Sequence, residues 1–466
     1  MAWVTPTVTV EQEFAGIGGG WTDITGDVTM DPITLVYGIR SHRPEERLAT
    51  TGEMKLAMRN DANNSGSQLG YYSPFHASKR SGFDFNNRIR LKTVYAGDTR
   101  YWMGRIAGIM PEPGQYGDTR RSFISAVDWM DIAARTTAPT AIQLTKRSDQ
   151  IFSAILANIV TQPALTDILP GIDTYDYGLD NENSSAPVPT QWADLLRSEL
   201  GYAGVKRDAT AGETLFFEDR QARIRTTSTL VTLDNTMHGL EMPGDRDDII
   251  NRVRIIVHPR TVSAGIVVAR LEAAATTSIA PGEAQTIVMD YTDPVQRDTK
   301  IGAKNGIALA ATTDYTMNAA QDGSGADLTT SFTAVATYRA SSVSVLITNT
   351  GTAAGFLRTL QARGDGIYSL NDVIGEATAA PGAYGENIAE VDMRFQNDAS
   401  RAARAAIYLG NLYKSPLANV RKVTFVANQS AALMTAAITG DISSRIAIVE
   451  PVSGLLATQL YFINGV

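Results

Sequence analysis

From residue 53 to residue 59 the chain alternates. Met54, Leu56 and Met58 fall on one side, and Lys55 and Arg59 on the other. The period returns at Arg88 to Thr93, where Ile89 and Leu91 oppose Arg88, Arg90 and Lys92. Only an extended strand sends successive side chains to opposite faces, so each run predicts a strand with one buried and one wet face. Val4, Val8 and Val10 oppose Thr5, Thr7 and Thr9 in the opening run, where Pro6 restricts the strand to a sheet edge. Strands are also expected at 33–39, 101–110 and 122–130. Turn-forming clusters at 16–20, 60–66 and 111–114 separate these runs. Six or more short strands in about 135 residues predict a barrel or a sandwich.

Beyond residue 140 the period lengthens. Ile151, Ile155 and Ile159 form a helical stripe over 148–160, with Ser148 as its expected cap. A polar stretch at 173–185 precedes a second helix, capped by Thr190, with Trp192, Leu195 and Leu196 inward and Gly201 as its stop. Residues 205–207 and 214–218 read as a hairpin. An apolar strand at 249–258 opens a third region. Residues 271–364 are rich in Ala, Thr and Val, with Val343, Val345 and Ile347 alternating cleanly. A last helix is expected from Asn397 or Asp398 to Tyr413, burying Ala402, Ala405, Ala406, Leu409 and Leu412. Closing strands follow at 423–427, 445–449 and 459–463. The apolar run ending at Val466 leaves open whether another chain pairs with it.

Hydrophobic residues make up 44% of the 466, which excludes wholesale disorder. Charged residues reach only 19%, below the roughly 25% of ordinary soluble domains, as expected if much surface meets partners. The absence of cysteine removes disulfides, thiolate chemistry and cysteine metal sites. A net charge of −8 argues against a general nucleic-acid binder. No apolar run approaches the ~18 residues of a membrane span, and the opening residues lack the basic and apolar regions of a signal peptide. His42, His76, His238 and His258 are scattered, and metalloprotease, nucleophile-elbow and phosphate-loop spacings are all missing. Asp322 to Asp327 lacks the bidentate glutamate of a calcium loop and reads as a turn. Asp173, Asp176, Asp180 and Glu182 would have to hold a carboxylate pair about 5–9 Å apart on a rigid cleft to hydrolyse a glycan, and they fall in a loop-like stretch. No enzyme, cofactor or metal site is expected. One charge pattern remains. Residues 79–121 hold nine basic residues against four acids, and Arg88, Arg90 and Lys92 share one strand face. These three are the candidate assembly contact, against the plainer reading of a solvated strand face. That strand face carries no aromatic residue on which single-stranded nucleic acid could stack.

The order of several short motifs resembles the tail hub proteins, also called minor tail or baseplate hub proteins, of long-tailed bacteriophages and gene transfer agents. They are Trp21-Thr-Asp-Ile-Thr25 with Asp27-Val28, Gly52-Glu-Met-Lys-Leu-Ala-Met-Arg-Asn60 with Tyr71-Tyr-Ser-Pro74, and Tyr101-Trp-Met-Gly104. Thr214-Leu-Phe-Phe-Glu-Asp-Arg220, Ile250-Asn-Arg-Val253, Asp314-Tyr-Thr316 and Asp322-Gly-Ser-Gly-Ala-Asp-Leu-Thr329 follow. The resemblance implies a mainly β chain with an α+β part and two tail-tube-like β-barrels. The first barrel is expected at 1–135 and an α+β domain at 136–248. The second barrel is expected at 249–300 plus 385–466, split by a β-sandwich insertion at 301–384. It further implies a homotrimer at the virion tail tip, assembled in the host cytoplasm, that joins a sixfold tube to a threefold tip. Implied partners are distal tail or tail-tube proteins, the tape measure protein and tail fibre or tip proteins, with DNA passing through unbound. The rival expectations are a carbohydrate-binding tail protein and a cell-wall hydrolase.

Overall fold

The structure is a computed structural model. It describes residues 3–41, 43–114, 120–138, 140, 142–179, 187–242, 249–271, 278–292, 300–339, 342–378, 385–414 and 420–466. The alternating runs of the N-terminal part become β1 (Thr7–Glu13), β2 (Trp21–Asp23), β3 (Thr34–Gly38), β4 (Thr50–Arg59), β5 (Arg88–Tyr95), β6 (Asp98–Glu112) and β7 (Arg121–Val127). They form one antiparallel sheet in the order β2-β1-β5-β6-β7-β4-β3. Met54, Leu56, Met58, Ile89, Trp102, Ile106 and Ile124 line its buried face. A register shift between Ile106 and Gly108 bends the fifteen-residue β6, which pairs with β5 along its first half and with β7 along its second.

The helical stripes assemble next. The elements are α1 (Met130–Arg135), β8 (Gln143–Arg147), α2 (Ser148–Ala157), β9 (Leu165–Ile168), β10 (Thr174–Gly178), α3 (Val188–Glu199), β11 (Tyr202–Lys206), β12 (Thr214–Glu218) and α4 (Ala222–Arg225). Trp129, Phe152, Trp192 and Phe217 are buried together, with Phe152 stacked on Trp192 at 4.5 Å. The helix ends differ from expectation. Ser148 is the first residue of α2, and its hydroxyl donates to Glu199 at 2.9 Å instead of capping. Arg147 is the N-cap, and its N–H donates to Gln150 Oε1 at 3.1 Å. Pro187, not Thr190, is the N-cap of α3, and Pro189 lies in the first turn, where a proline costs no helical hydrogen bond. Leu200, not Gly201, takes the left-handed stop, with φ 59°. The strand expected at 122–130 gives way to α1 after Val127.

The rest of the chain comprises β13 (Thr232–Leu233), β14 (Met237–Glu241), β15 (Arg252–Val257), β16 (Arg260–Arg270), β17 (Ser278–Ile279), β18 (Ala284–Asp290), β19 (Lys300–Lys304), β20 (Tyr315–Asn318), β21 (Phe332–Tyr338), β22 (Ser342–Asn349), β23 (Gly355–Ser369), β24 (Val373–Thr378), β25 (Ile388–Met393), α5 (Ala399–Tyr413), β26 (Lys422–Phe425), α6 (Ala431–Thr439), β27 (Arg445–Glu450) and β28 (Leu455–Phe462). The molecule is thus mainly β with an α+β part. The sheet built on the long β23 and the sheet β18-β22-β21 share one core, in which Leu357 and Leu360 meet Val343, Val345 and Ile347. This sandwich includes β16 and β18, which the sequence reading placed in the second barrel (249–300). β24, placed in the insertion (301–384), pairs instead with β15. Beneath the sheet β24-β15-β25 lies α5, burying Ala402, Ala406 and Leu409 against Val253 and Ile255. Leu412, expected inside, is 43% exposed because it falls beside the buried stripe of Ala402, Ala406 and Leu409, which Tyr413 continues. The proline expected to stop this helix, Pro416, lies outside the described residues, as do His42, Asp118, Asp180 and Glu182.

The C-terminal part closes back on the first sheet. α6 lies against β5 and β6, and Ile442 enters the first core. Tyr37 donates from its hydroxyl to Asp441 Oδ1 at 3.1 Å, and the Arg207 N–H donates to Asp441 Oδ2 at 2.9 Å. Burial pushes the Asp441 carboxyl above the ordinary range. The chain's own end covers the outer edge of β3. Val466 exchanges two backbone hydrogen bonds with Tyr37, and the Ile39 N–H donates to Asn464 O at 2.8 Å.

Candidate assembly interface

β5 lies between β1 and β6, and the register sets Arg90 opposite Glu11. Arg90 Nε donates to Glu11 Oε2 at 2.6 Å, and its guanidinium stands 4.1 Å from the centre of the Trp21 ring and 4.5 Å from that of Tyr101. Arg88 Nη1 is 3.8 Å from Glu13 Oε2. Lys92 Nζ lies 5.7 Å from the Tyr101 ring and makes no ion pair among the described residues. The three cations do share a face. Two of them, however, meet acids of their own chain, and β2 and β6 supply the aromatic rings that this face of β5 lacks. A single strand read alone cannot reveal cross-strand partners, since register is fixed by pairing.

Two of the sequence motifs converge in space. Asp27, which follows the Trp21-to-Thr25 stretch, is 3% exposed. Its carboxylate accepts from the Ser65 N–H and the Ser65 hydroxyl, each at 2.6 Å, and from the Tyr72 hydroxyl. Arg80 Nη1 donates to that same Tyr72 oxygen at 2.7 Å and stands 3.7 Å from Asp27. Asn60, at the end of β4, accepts from the Tyr72 N–H at 2.9 Å and donates to the Ser73 hydroxyl at 2.8 Å. The loop between β4 and β5 is thereby fastened to the sheet by charge-assisted bonds shielded from water. Burial is the largest cause raising the Tyr72 hydroxyl well above its ordinary value.

A second polar cluster joins the α+β part to α5. Asp173 accepts from Arg220 Nη1 at 2.6 Å and lies 2.7 Å from Arg401 Nη1. Behind it the fully buried Glu199 accepts from the Ser148 hydroxyl at 2.9 Å and from the Asp173 N–H at 3.1 Å. Burial, then the Asp173 charge, pushes the Glu199 carboxyl up to about 7. Sequence reasoning passed over Glu199, although it continues the inward stripe of Trp192, Leu195 and Leu196 at helical spacing. Of the acidic stretch, Asp173 is consumed in this cluster, and the Asp176 side chain lies outside the described residues. A cavity of about 280 Å³ opens beside the cluster. Among the described residues no three His, Asp or Glu side chains gather as a metal group, and no helix is long and apolar enough to cross a membrane.

No family model and no curated protein matches the sequence. Among solved structures, the chain is similar to the 43 kDa tail protein of prophage MuSo2 from Shewanella oneidensis. That match has 9% identity and a TM-score of 0.46, covering 98% of this chain and 92% of that one. It is also similar to a tail protein from Neisseria meningitidis MC58, at 8% identity and a TM-score of 0.47, covering 99% and 91%. The prophage tail protein gp18 from Listeria monocytogenes EGD-e matches at 9% identity and a TM-score of 0.32, covering 53% of this chain and 61% of that one.

Proposed function

We propose that this chain is a structural protein of a phage tail, a hub subunit of which three copies close into an annulus at the tail tip. In that role it adapts the sixfold tail tube to a threefold tip and surrounds the genome-ejection channel. It contacts tube, tape measure and fibre proteins, lets DNA pass without specific binding, and performs no catalytic turnover. One observation carries this reading: motif stretches that resemble hub proteins in sequence, separated by about forty residues, meet in the buried Asp27–Tyr72–Arg80–Asn60 network. The edges of the first sheet support it. The chain's own end covers β3, while β2 is the outermost strand at the other side. Two unlike edge strands suit head-to-tail association, the kind that closes rings. Two aromatic residues of the sandwich, Tyr315 and Phe332, are buried in its core and offer no platform to a carbohydrate.

The test is mass and shape in solution. Light scattering should give three times the 50.1 kDa chain mass, and negative-stain images should show rings. Lys92→Glu should abolish the ring and leave the circular dichroism unchanged. Reversing Arg88 and Arg90 as well would set new carboxylates beside Glu13 and Glu11 and so unpick the β1–β5 pairing. A monomer at tens of micromolar would overturn the annulus, and rings formed by Lys92→Glu would remove β5 from the contact.

A further inference from the structure

The cavity of about 280 Å³ between α4 and α5 has two unlike walls. One is cationic. Arg220 and Arg401 converge on the single carboxylate of Asp173, while Arg404 enters from the next turn of α5. Arg404 bonds only to Ser400, through Nε to the carbonyl at 3.2 Å and Nη2 to the hydroxyl at 2.7 Å, and makes no ion pair among the described residues. The other wall is apolar, with Ile224 66% exposed, Tyr408 37% exposed, and Met393 behind them. The apolar wall continues along α5 through Ile407 and Leu412, 55% and 43% exposed. These residues follow Arg404 at three- and four-residue spacing, so the open face of α5 runs from a charge into a hydrophobic stripe.

Size and charge select the occupant. Sites for whole small molecules hold roughly 300–1,000 Å³, so this one takes about two side chains. Arg220 and Arg401 are matched by the buried Asp173 and by Asp398, 3.7 Å from Arg401 Nε, while burial raises the Glu199 carboxyl behind them, so Arg404 is the cation of this wall left without an ion pair among the described residues. Guanidinium forks bind carboxylates in a fixed planar geometry and gain strength where water is excluded. Exposed aliphatic and tyrosine side chains beside such a fork suit an apolar residue adjacent to the anion.

We propose that this cavity is a docking site for an acidic peptide segment of a partner protein. Its carboxylate is held by Arg404 and Arg401, and a neighbouring apolar side chain is seated on Ile224 and Tyr408. The inference goes beyond the annular assembly and stands without it, because the assay below scores binding whether the chain is monomeric or ringed.

The experiment uses the full chain and fluorescein-labelled ten-residue peptides in which Asp or Glu is flanked by Leu, Ile, Phe or Tyr, read by fluorescence anisotropy. Some of these peptides should bind, and their Asn or Gln counterparts should bind at least tenfold more weakly. Arg404→Glu should lower the affinity at least tenfold with an unchanged melting profile, since among the described residues Arg404 hydrogen-bonds only to Ser400 of its own helix. Tyr408→Ala should weaken binding of peptides with aromatic flanks. Failure of every acidic peptide would overturn the site. So would equal binding of the amide forms, indifference to Arg404→Glu, or displacement by inorganic phosphate at concentrations equal to the peptide, which would mark an anion site without peptide recognition.

Discussion

Gly52 stands where the first sheet meets its neighbours most closely from two sides. A Cβ there would lie 2.7 Å from the Tyr37 Cβ and closer still to the Asp128 carboxylate. Tyr37 and Asp128 are 1% and 2% exposed, so neither has room to withdraw. Gly52→Ala should therefore cost about 1–3 kcal/mol, the usual penalty of overpacking. Faster amide exchange along β4 and β7 would report it, and unchanged exchange would refute it. Asp128 adds a pH dependence at the same point. It accepts from the Met130 N–H at 3.0 Å, yet burial pushes its carboxyl up to about 7. A carboxyl raised in the folded state favours folding while protonated, and that advantage is lost as pH climbs from the ordinary carboxylate range to about 7. The clash in Gly52→Ala should thus be felt most above pH 7, where a charged Asp128 is least able to shift.

At the scale of elements, legibility followed periodicity. The strands β4 and β5 and the helix α5 each carry a stripe of one clear period, and each formed near the expected bounds. α6 was missed because its sequence, Ala431-Ala-Leu-Met-Thr-Ala-Ala-Ile-Thr439, is apolar on nearly every side. A helix enclosed between the first sheet and the C-terminal strands needs no wet face, so it shows no stripe. The site was legible only by half. Arg88, Arg90 and Lys92 were readable as one face, but their partners Glu11, Glu13, Trp21 and Tyr101 depend on a register that local sequence does not encode. The cap of α5 was read correctly as one of two residues, and it is Asp398, which accepts from the Ser400 N–H at 2.9 Å. That bond positions the turn bearing Arg401 and Arg404. Asp398→Ala should cost about 1 kcal/mol and fray this turn. Hydrogen exchange confined to residues 400–404 is the expected reading, and exchange equal to wild type would show that packing of Ala402 alone holds the helix end.

For the molecule as a whole, the two chain crossings between the sandwich and the rest run side by side as a stem, and Arg260 and Lys304 add contacts to Tyr177 beside it. The chain leaves β15 through His258 and Pro259, and it returns through Leu370, whose N–H donates to Pro259 O at 3.0 Å. His258 spans the stem. Its Nδ1 lies 2.8 Å from Asp372, on the returning strand, and its Nε2 lies 2.5 Å from Asp392 on β25. A neutral imidazole has one N–H and can satisfy only one of these carboxylates, whereas the protonated ring donates to both. The hydrogen bond to Asp392 is the largest cause raising the histidine above its ordinary value, and the same bond lowers the Asp392 carboxyl, with Arg394 and Arg197 adding to the effect. A histidine raised in the folded state contributes stability that is complete below its ordinary value near 6.5 and is lost as pH rises through the raised value. Asp392 contributes above its ordinary value, and its share disappears as acid carries the pH down through the lowered one. The bridge is therefore strongest in a window bounded below by the lowered Asp392 and above by the raised His258. Amide exchange at 258–260 and 370–373, corrected for intrinsic rates, should slow as pH is brought from 8.5 down to 6. His258→Gln should remove that dependence while leaving exchange inside the sandwich unchanged. A wild-type stem whose protection is flat across this range would mean that the two aspartates are held apart by the backbone alone.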